Sequence, residues 1–478
     1  MQRRIGTLLH RGRKKPMVLA SIAAVALLSA VVLIPVTHAT SGPRGIDRIQ
    51  HIVVIDLENW SFDSLYGHFP GANGVTGAGN VIQVDKSGTP YAHLPQPLDS
   101  NNEAKVAPGA PPAVNPPDAR FPADLPVRPF DLEQYVPPTA AIGDITGGFY
   151  QERSAIDGGR MDKYVAVGSS GALPLGSYDA TRLPLGMLAK RFTLADEFFH
   201  AAFGSSMLNH FWLIGAATPW WPGAPASMHA VLGPDGALMK NGAVTPDGYL
   251  VNTAFPSKGP HPKVLAPGTT LVPPLRTATI GDRLSAKHLS WAWYSGGWAD
   301  AIAGHPAKLF QFNHQPFAYF ARYANGSRAQ TDHLKDEADL LNAIMRDALP
   351  AVSFYKPLGG DNEHPGYANL LDGEHHTADI IDAIMATKEW KSTAIVVTYD
   401  ENGGFWDHVP PPVGDRWGPG TRVPTIVISP FAKRGFVDHT TYDTTSILAL
   451  IEHRFGLLPL SSRDASAADL TNAFDFKR

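Results

Sequence analysis

Two carboxylates at the end of an apolar run are the first residues of this chain whose spacing points to chemistry. The segment TAIVVTYDENGGFWDH, residues 393–408, begins as a β-branched strand and then becomes acidic, glycine-flanked and aromatic. In an open α/β sheet, ligands bind beyond the carboxyl ends of the strands, so Asp400 and Glu401 would emerge where a metal or a substrate could meet them. The alternative is a plain turn, because Asp, Asn and Gly are ordinary turn formers.

A second stretch with the same local form lies near the start of the chain. IQHIVVIDLENWSFD, residues 49–63, also runs from an apolar strand into Glu58 and Asn59. Two such strands could bring hard oxygen ligands together from distant parts of the chain. The pair Gly403 and Gly404 is then interpreted as clearance, because glycine lets the backbone turn sharply beside the site.

A serine stands at a predicted strand-to-helix turn, in FGSSMLNHFWLIGAA, residues 203–217. Serine is a preferred N-cap residue, so Ser206 has an ordinary structural explanation. A helix N-terminus also offers free N–H groups and the positive end of a dipole, which binds phosphate and stabilises an alkoxide nucleophile. Capping and nucleophilic attack both remain open at this point.

Histidines occur in two further segments. His314 lies among aromatic residues in LFQFNHQPFAYFARY, residues 309–323, where a lone histidine is more often a packed residue than a ligand. The segment GGDNEHPGYANLLDGEHHTAD, residues 359–379, is predicted to place His364, His375 and His376 in one loop.

Composition limits the partners and the metal ligands. The 478 residues are enough for a large core. The net charge is −4, and no basic block occurs after residue 39, so the sequence gives no indication of nucleic acid as a partner. The chain has no cysteine, so any metal must be held by oxygen and nitrogen ligands, which favours a hard or borderline cation.

The N-terminal residues 1–39 have the features of an export signal. Basic residues precede an apolar run at residues 17–36, and Thr37-His38-Ala39 supplies a small-x-small cleavage site. The run is about 20 residues, long enough to serve instead as an uncleaved membrane anchor. We therefore predict an exported protein, periplasmic or secreted, that meets the membrane only through this segment.

Strands alternate with helices along the rest of the chain. This pattern predicts an α/β fold with a mostly parallel central sheet and helices on both faces. One domain is predicted over residues 46–478, with Pro/Gly-rich loop insertions at about 86–138 and 219–274. A helix is expected at 379–390, and another within 331–350 whose apolar face would consist of Leu334, Ala338, Leu341, Met345 and Leu349.

Several polar groups fall at or just beyond the predicted strand ends. They are Glu58, Asn59, Ser206, His364, Asp400 and Glu401. Carboxylates, an amide and histidines suit a metal that polarises a phosphoryl oxygen, and a serine at a helix N-terminus suits an attacking nucleophile. The set favours metal-assisted phosphoryl or sulfuryl transfer over a Ser-His-Asp acyl hydrolase, because no GxSxG elbow surrounds Ser206.

The longer motifs resemble the bacterial phosphoesterase family of acid phosphatases and phospholipases C. They are VVIDLENWSFDSLYG, FGSSMLNHFWLIGA, SWAWYSGGW, FNHQPFAYF, GGDNEHPGYANLL, TYDENGGFWDHVPPP and RWGPGTRVPTIVISPFAKRGFVDHTTYDTTSIL. The resemblance covers residues 49–455 and implies an alkaline-phosphatase-like fold. The segments SWAWYSGGW and GDNEHPGYA, with serine at the nucleophile position, are closer to the acid phosphatase members.

Carried over position by position, the resemblance implies that Ser206 is the nucleophile. His314 and His364 would contact the phosphoryl group, one of them as general acid, while His376 and His408 are weaker candidates. The resemblance also implies one divalent or trivalent metal ion, of undetermined identity, held by Glu58, Asn59, Asp400 and Glu401.

Two positions depart from the family pattern. Asn313 stands where a paired HHQPF is expected, and Gly147 stands where a histidine is expected before the FYQ segment. Each replacement would remove a contact to the phosphate, so weaker activity or a displaced substrate preference is expected.

The sequence thus predicts an exported, metal-dependent phosphomonoesterase that acts on a phosphorylated small molecule through a phosphoserine intermediate at Ser206. The first alternative is a phospholipase C that cleaves the phosphodiester headgroups of phospholipids and keeps the same metal site. The second alternative is a non-catalytic binding protein on the same scaffold, suggested by the two lost histidines.

Overall fold

The computed structural model describes residues 44–75, 81–100, 115–145 and 147–477. Within these residues, eight strands form a central sheet. In chain order they are β1 (His51–Leu57), β2 (Thr193–Ala195), β3 (Trp291–Ser295), β4 (Leu334–Asp336), β5 (Val352–Lys356), β6 (Thr393–Tyr399), β7 (Thr425–Ile428) and β8 (Phe436–Asp438).

The order of the strands across the sheet is β8-β2-β7-β6-β1-β5-β3-β4. β7 runs antiparallel to its neighbours β6 and β2, and the other neighbouring pairs are parallel. β1 and β6 are buried along almost their whole length, as expected of apolar strands in a parallel sheet covered on both faces. The predicted α/β class with a mostly parallel sheet is confirmed.

The helices of the described residues form two groups around the sheet. They are α1 (Phe62–Tyr66), α2 (Phe149–Ile156), α3 (Tyr164–Val167), α4 (Pro184–Arg191), α5 (Ser206–Gly215), α6 (Ile280–Ala286), α7 (Trp298–Ile302), α8 (Arg328–His333), α9 (Glu337–Met345), α10 (Leu370–Met385), α11 (Thr445–Phe455) and α12 (Ser462–Ser466). In one group α4 and α9 contact α10, and in the other α6 and α11 contact α5.

Helix α10 begins earlier than the predicted helix at 379–390. Its N-cap is Asn369, whose side chain accepts a hydrogen bond from the backbone N–H of Asp372. Because this cap starts the helix at Leu370, His375 and His376 lie on α10 and not in the predicted loop.

Helix α9 is rotated relative to the prediction. Leu340 and Ile344 are buried, whereas Leu341 and Met345 are 38% and 74% exposed, so the predicted apolar face was wrong. The sequence offers two overlapping apolar faces, one with Leu341 and Met345 and the other with Leu340 and Ile344. The helix begins only after the edge strand β4, where the side chain of Asp336 caps the helix by accepting a hydrogen bond from the N–H of Ala338. This later start turns the face with Leu340 and Ile344 toward the core.

Each predicted insertion contributes to a short strand pair, and the first pair joins its insertion to a later segment. Phe130–Asp131 pairs with Gly176–Ser177, and Val231–Leu232 forms a hairpin with Leu238–Lys240. Residues 101–114, and the predicted export segment 1–39 with its apolar run 17–36, lie outside the described residues. Across the described ranges, no helix has the length and apolarity needed to cross a membrane.

Candidate active site

The pairing of β1 with β6 brings the first two candidate residues together. These parallel strands are in register from His51 opposite Thr393 to Leu57 opposite Tyr399. Glu58 and Asp400 follow the last pair, so both emerge at the same carboxyl edge of the sheet. Both side chains are buried, which sets them apart from the exposed carboxylates of an ordinary turn.

Glu58 is the centre of the site. Its Oε1 lies 2.7 Å from Nζ of Lys356 and 2.9 Å from Nε2 of His314. Burial alone would raise the pKa of Glu58, but His314 and Lys356 outweigh it and hold that pKa well below its usual range. Glu58 is therefore ionised in the folded protein.

A layer of charged residues lies around Glu58. Nζ of Lys356 is also 3.2 Å from Oδ2 of Asp56 and 3.6 Å from Oδ2 of Asp400, while Nε2 of His210 is 3.2 Å and 3.5 Å from the same two atoms. Burial would lower the pKa of Lys356, but the carboxylates of Asp400, Asp56 and Glu58 outweigh it and raise that pKa. Lys356 is thus a buried ammonium. Burial, followed by Lys356, lowers the pKa of His210.

Sequence reasoning missed Asp56, His210 and Lys356. Each has a visible signal: a charged residue inside the apolar runs of β1 or β5, or a histidine in the first turns of the apolar helix α5. A buried charge needs a partner, so the three positions could have been flagged before their neighbours were known.

Asn59 connects Glu58 to Asp400 and His364 through hydrogen bonds of its side-chain amide. With its amide oriented to suit its neighbours, Nδ2 donates to Oε2 of Glu58 and to Oδ1 of Asp400, and Oδ1 accepts from Nε2 of His364, each at 2.9 Å. Its backbone has a φ of 81°. A Cβ at Gly403 would lie 2.3 Å from the backbone oxygen of Asn59, so only glycine fits beside this turn.

Ser206 is the first residue of α5, and its hydroxyl does not cap that helix. Oγ donates to Oε2 of Glu58 at 3.3 Å. The N-cap residue, Ser205, donates its own hydroxyl to the backbone oxygen of Val251. Asn209 folds the preceding turn by donating to the oxygens of Ala202 and Gly204. The serine therefore faces the carboxylate cluster.

The two predicted phosphate-contacting histidines lie on opposite sides of Glu58. Nε2 of His364 is 3.9 Å from Oε2 of Glu58, and its Nδ1 is 2.5 Å from the oxygen of Pro365. Burial outweighs the attraction of Glu58 and lowers the pKa of His314 to about 4. His314 is therefore a neutral ring at neutral pH.

Glu401 points into a different environment from the other predicted ligands. Its Oε2 accepts a hydrogen bond from the backbone N–H of Gly403 at 2.9 Å. Burial raises the pKa of Glu401 to about 7, with His200 opposing and Glu152 adding to that rise. Two clusters of His and acidic ligand atoms that lie within 4.8 Å of one another occur in the described residues, and neither includes Glu401.

Within the described residues, one of these clusters consists of Glu58, His210 and Asp400, and the other consists of Asp63, Asp407 and His408. Oδ2 of Asp400 accepts no hydrogen bond from any described residue, and burial together with Glu58 raises the pKa of Asp400 well above its usual range. A cation would relieve both the unpaired oxygen and the crowding of like charges. The oxygen and nitrogen donors, with the amide of Asn59 adjacent, fit a hard or borderline metal ion.

A cleft of about 810 Å³ leads to this cluster. Ser206, Glu58, His314 and His364 line its inner end. The rest of its lining is mixed: it includes the apolar or aromatic Met228, Phe255, Pro262, Ala266, Phe310, Phe312 and Tyr367 and the polar or charged Asp144, Ser227, Thr253, Lys263, Thr269, Lys308 and Gln311. The site can therefore admit a substrate with substantial apolar or bulky groups around the reacting centre.

The two departures from the family pattern both lie beside the site. Asn313 lines the cleft next to His314. A Cβ at Gly147 would meet its nearest atoms, which include Oε2 of Glu401, only at 3.9 Å, so there is open space where a histidine was expected. Neither position supplies a cation.

The weaker histidine candidates have structural partners. Nε2 of His376 is 2.6 Å from the hydroxyl of Tyr355. Nδ1 of His408 is 2.7 Å from Oδ2 of Asp63, whose other oxygen accepts from Arg422 at 3.0 Å. His376 therefore has a structural partner, and His408 lies in the second cluster, with Asp63 and Asp407.

Comparison with known proteins assigns the chain to a class. The model of the Phosphoesterase family matches residues 49–458, so the chain belongs to that family. This membership confirms the predicted class of enzyme, a phosphoric ester hydrolase.

Among individual proteins, the chain is similar to the non-hemolytic phospholipase C of Pseudomonas aeruginosa, with 27% identity over 94% of this chain and 60% of that protein. It is also similar to phospholipase C B of Mycobacterium tuberculosis, with 25% identity over 91% of this chain and 79% of that protein. The chain thus spans less than two thirds of the Pseudomonas protein. A solved protein of the alkaline phosphatase superfamily from Vibrio parahaemolyticus matches with 12% identity and a TM-score of 0.35, over 61% of this chain and 64% of that one.

Proposed function

We propose that this chain is an exported, metal-dependent phosphodiesterase of the phospholipase C type. The observation that carries the proposal is the cleft of about 810 Å³ that ends on Ser206, Glu58 and His364. Its volume and its mixed lining, with Phe255, Phe310 and Phe312 beside Lys263 and Lys308, suit both substituents of a phosphodiester, one polar and one large and apolar. The phospholipase C relatives support the same substrate class.

The charge of the site also favours a diester. A phosphomonoester carries a charge of about −1.5 to −2 at neutral pH, whereas a diester carries a single negative charge. The positions that would supply two further histidines are Asn313 and Gly147, and His314 is neutral because its pKa is lowered to about 4. Without a histidine at either position, fewer cations contact the phosphoryl group than the family pattern implies, so a monoanion is the better match.

Ser206 is the nucleophile in this proposal. Its oxygen attacks phosphorus and the bond from phosphorus to the leaving alkoxide breaks, which leaves a phosphoserine diester. The free N–H groups and positive end of α5 stabilise the phosphoryl oxygens. The hydrogen bond from Oγ to Glu58 gives the serine proton a path out of the reacting centre.

Glu58 and Asp400, with His210 within reach, would hold the metal ion. Asn59, whose Nδ2 faces both carboxylates, and Glu401 remain the further ligands implied by the family resemblance. When bound, the metal supplies Lewis-acid stabilisation of the negative charge that develops during phosphoryl transfer. The carboxylate of Glu58 orients the serine by accepting the hydrogen bond of its hydroxyl.

His364 is the better candidate for the general acid. Both of its ring nitrogens face oxygen acceptors, Oδ1 of Asn59 and the backbone oxygen of Pro365, which suits the doubly protonated ring. A protonated His364 can give its proton to the leaving alkoxide, and the neutral ring can then take a proton from the water that hydrolyses the phosphoserine. His314, neutral and bound to Glu58, positions that carboxylate.

Phosphomonoesterase activity is the second candidate. The segments SWAWYSGGW and GDNEHPGYA, which resemble the acid phosphatase members, favour it. Hydrolysis of p-nitrophenyl phosphate compared with p-nitrophenyl phosphorylcholine separates the two. We expect a higher kcat/KM for the diester, and a higher value for the monoester would replace the first candidate by the second.

The nucleophile is tested by Ser206→Ala. We expect kcat to fall by at least about a thousandfold without loss of folding, because the covalent route disappears. Ser154→Ala, at an exposed position of α2, serves as the matched control and should keep full activity. Unchanged activity in Ser206→Ala would mean that another group is the nucleophile, whereas a wild-type chain inactive on both substrates would leave the non-catalytic scaffold. Export is tested separately by N-terminal sequencing of the mature protein, expected to begin at Thr40.

A further inference from the structure

Among the ion-pair partners of Glu58, the closest is the ammonium of Lys356. Nζ of Lys356 lies 2.7 Å from Oε1 of Glu58, and both side chains are completely buried. Strand β5, which carries Lys356, lies beside β1 in parallel register, with Ile55 opposite Tyr355. The ammonium therefore reaches the carboxyl edge of the sheet from the strand next to the one that delivers Glu58.

The two carboxylate oxygens of Glu58 have different contacts, and Lys356 occupies only one of them. Oε1 is taken by Lys356 and His314, while Oε2 faces the hydroxyl of Ser206 at 3.3 Å and the amide of Asn59 at 2.9 Å. A carboxylate held through one oxygen presents the other in a fixed direction. Lys356 thus sets the direction of the oxygen that meets the nucleophile.

Lys356 also opposes any metal ion in the same cluster. Its Nζ is 3.2 Å from Asp56 and 3.6 Å from Asp400, so three carboxylates surround one fixed positive charge. A positive charge this close repels an incoming cation even when protein and solvent screen it. The ammonium also supports the carboxylates when no cation is bound, because buried charges of one sign need a counter-charge.

We infer that Lys356 is a positioning residue that fixes Glu58 for the reaction and, as a built-in counter-ion, weakens the binding of the catalytic metal. The inference rests on the metal site of the proposed function. The proposed role of Lys356 affects turnover and metal affinity in opposite directions. Removal of the ammonium should slow the reaction but tighten the binding of the metal ion. Loss of an ordinary outer-sphere contact would instead weaken metal binding about 10–100-fold.

The test uses the full chain after removal of metal, with Ca²⁺, Mg²⁺ and Zn²⁺ each titrated alone by calorimetry at one fixed pH of about 8. For Lys356→Met we expect Kd to fall by at least about tenfold and kcat with saturating metal to fall by about a hundredfold. For Lys356→Arg, which keeps the charge, Kd should stay near the wild-type value and part of kcat should return. Lys388→Met, at an exposed lysine, is the control and should change neither quantity.

A double variant keeps the test decisive if Lys356→Met does not fold. Combining it with Asp56→Asn removes one charge of each sign, so the formal charge of the cluster equals that of the wild type. We expect a Kd within about threefold of the wild-type value and a kcat that stays low. Weaker metal binding in the single or the double variant would overturn the role of Lys356 alone. A wild-type chain that binds none of the three ions would overturn the metal site as well.

Discussion

Leu57 and Tyr399 stand opposite each other on the parallel strands β1 and β6, and this pairing places Glu58 and Asp400 at the same edge of the sheet. The amide of Asn59 then donates to both carboxylates at 2.9 Å. A strand register shifted by one residue would reverse the side on which each side chain lies. The candidate active site therefore depends on the alignment of two central strands that are far apart in sequence.

The first prediction concerns the metal ligands. Asp400→Asn should lower the amount of metal that co-purifies with the protein by at least about tenfold, because a buried anionic ligand is replaced by a neutral one. Glu401→Gln should cause a smaller loss, since Glu401 lies outside the cluster formed by Glu58, His210 and Asp400. Elemental analysis of the two purified variants and the wild type measures this. Equal losses would place Glu401 in the metal site, as the family resemblance implies.

The second prediction concerns Gly403. A methyl group at this position would lie 2.3 Å from the backbone oxygen of Asn59, and the residue has a φ of 61°. Gly403→Ala should therefore displace Asn59 and lower kcat by at least about tenfold. Gly236→Ala is a matched control, because Gly236 also has a positive φ, 80°, but no atom within 4 Å of the added methyl group. If both variants kept full activity, steric clearance at Gly403 would not be required.

The third prediction concerns the dependence of stability on pH. Burial raises the pKa of Glu374 from its ordinary value of 4.5 to about 8. Burial and the nearby Glu374 also raise the pKa of Glu363. The folded protein thus holds protons that the unfolded chain releases between these values, so the free energy of unfolding falls as pH rises through this range.

Glu374→Gln should flatten that decline. The neutral amide resembles the protonated acid, and its oxygen can still accept the hydrogen bond that Glu374 receives from the N–H of Leu185 at 2.6 Å. At about pH 8 the variant should be more stable than the wild type by roughly 2–3 kcal/mol, with little difference near pH 5. Urea unfolding across this pH range measures it, with Glu133→Gln as an exposed control. Parallel pH profiles for wild type and Glu374→Gln would contradict the assignment.

The fourth prediction concerns substrate charge. Gly147→His and Asn313→His restore the histidines that the family pattern leads one to expect, and there is open space at Gly147. If the loss of these two histidines favours a monoanionic diester, each variant should raise kcat/KM for p-nitrophenyl phosphate relative to the diester by about threefold to tenfold. Gly147→Asn is the neutral control of similar polarity. An equal change for both substrates would mean that the charge of the phosphoryl group does not set the preference.

From the amino-acid sequence alone, the class of fold and several residues of the candidate active site could be predicted. Apolar runs of strand length alternate with helical stretches, and this period requires a covered, mostly parallel sheet whatever the details of packing. Glu58, Asn59 and Asp400 could be selected because polar residues directly after buried strands must emerge at the ligand-binding edge. Ser206 could be selected because the start of a helix favours an anion.

Tertiary structure decided which neighbours these residues have. Asp56, His210 and Lys356 became part of the site only when β5 and α5 came to lie beside β1, and a contact across hundreds of residues leaves no local pattern. The direction of Glu401, and the rotation of α9 that exposes Met345 in place of Ile344, depend on caps and neighbours in the same way. Local preferences fix the elements, but charge pairing and burial, which are summed over the whole fold, fix the chemistry of the site.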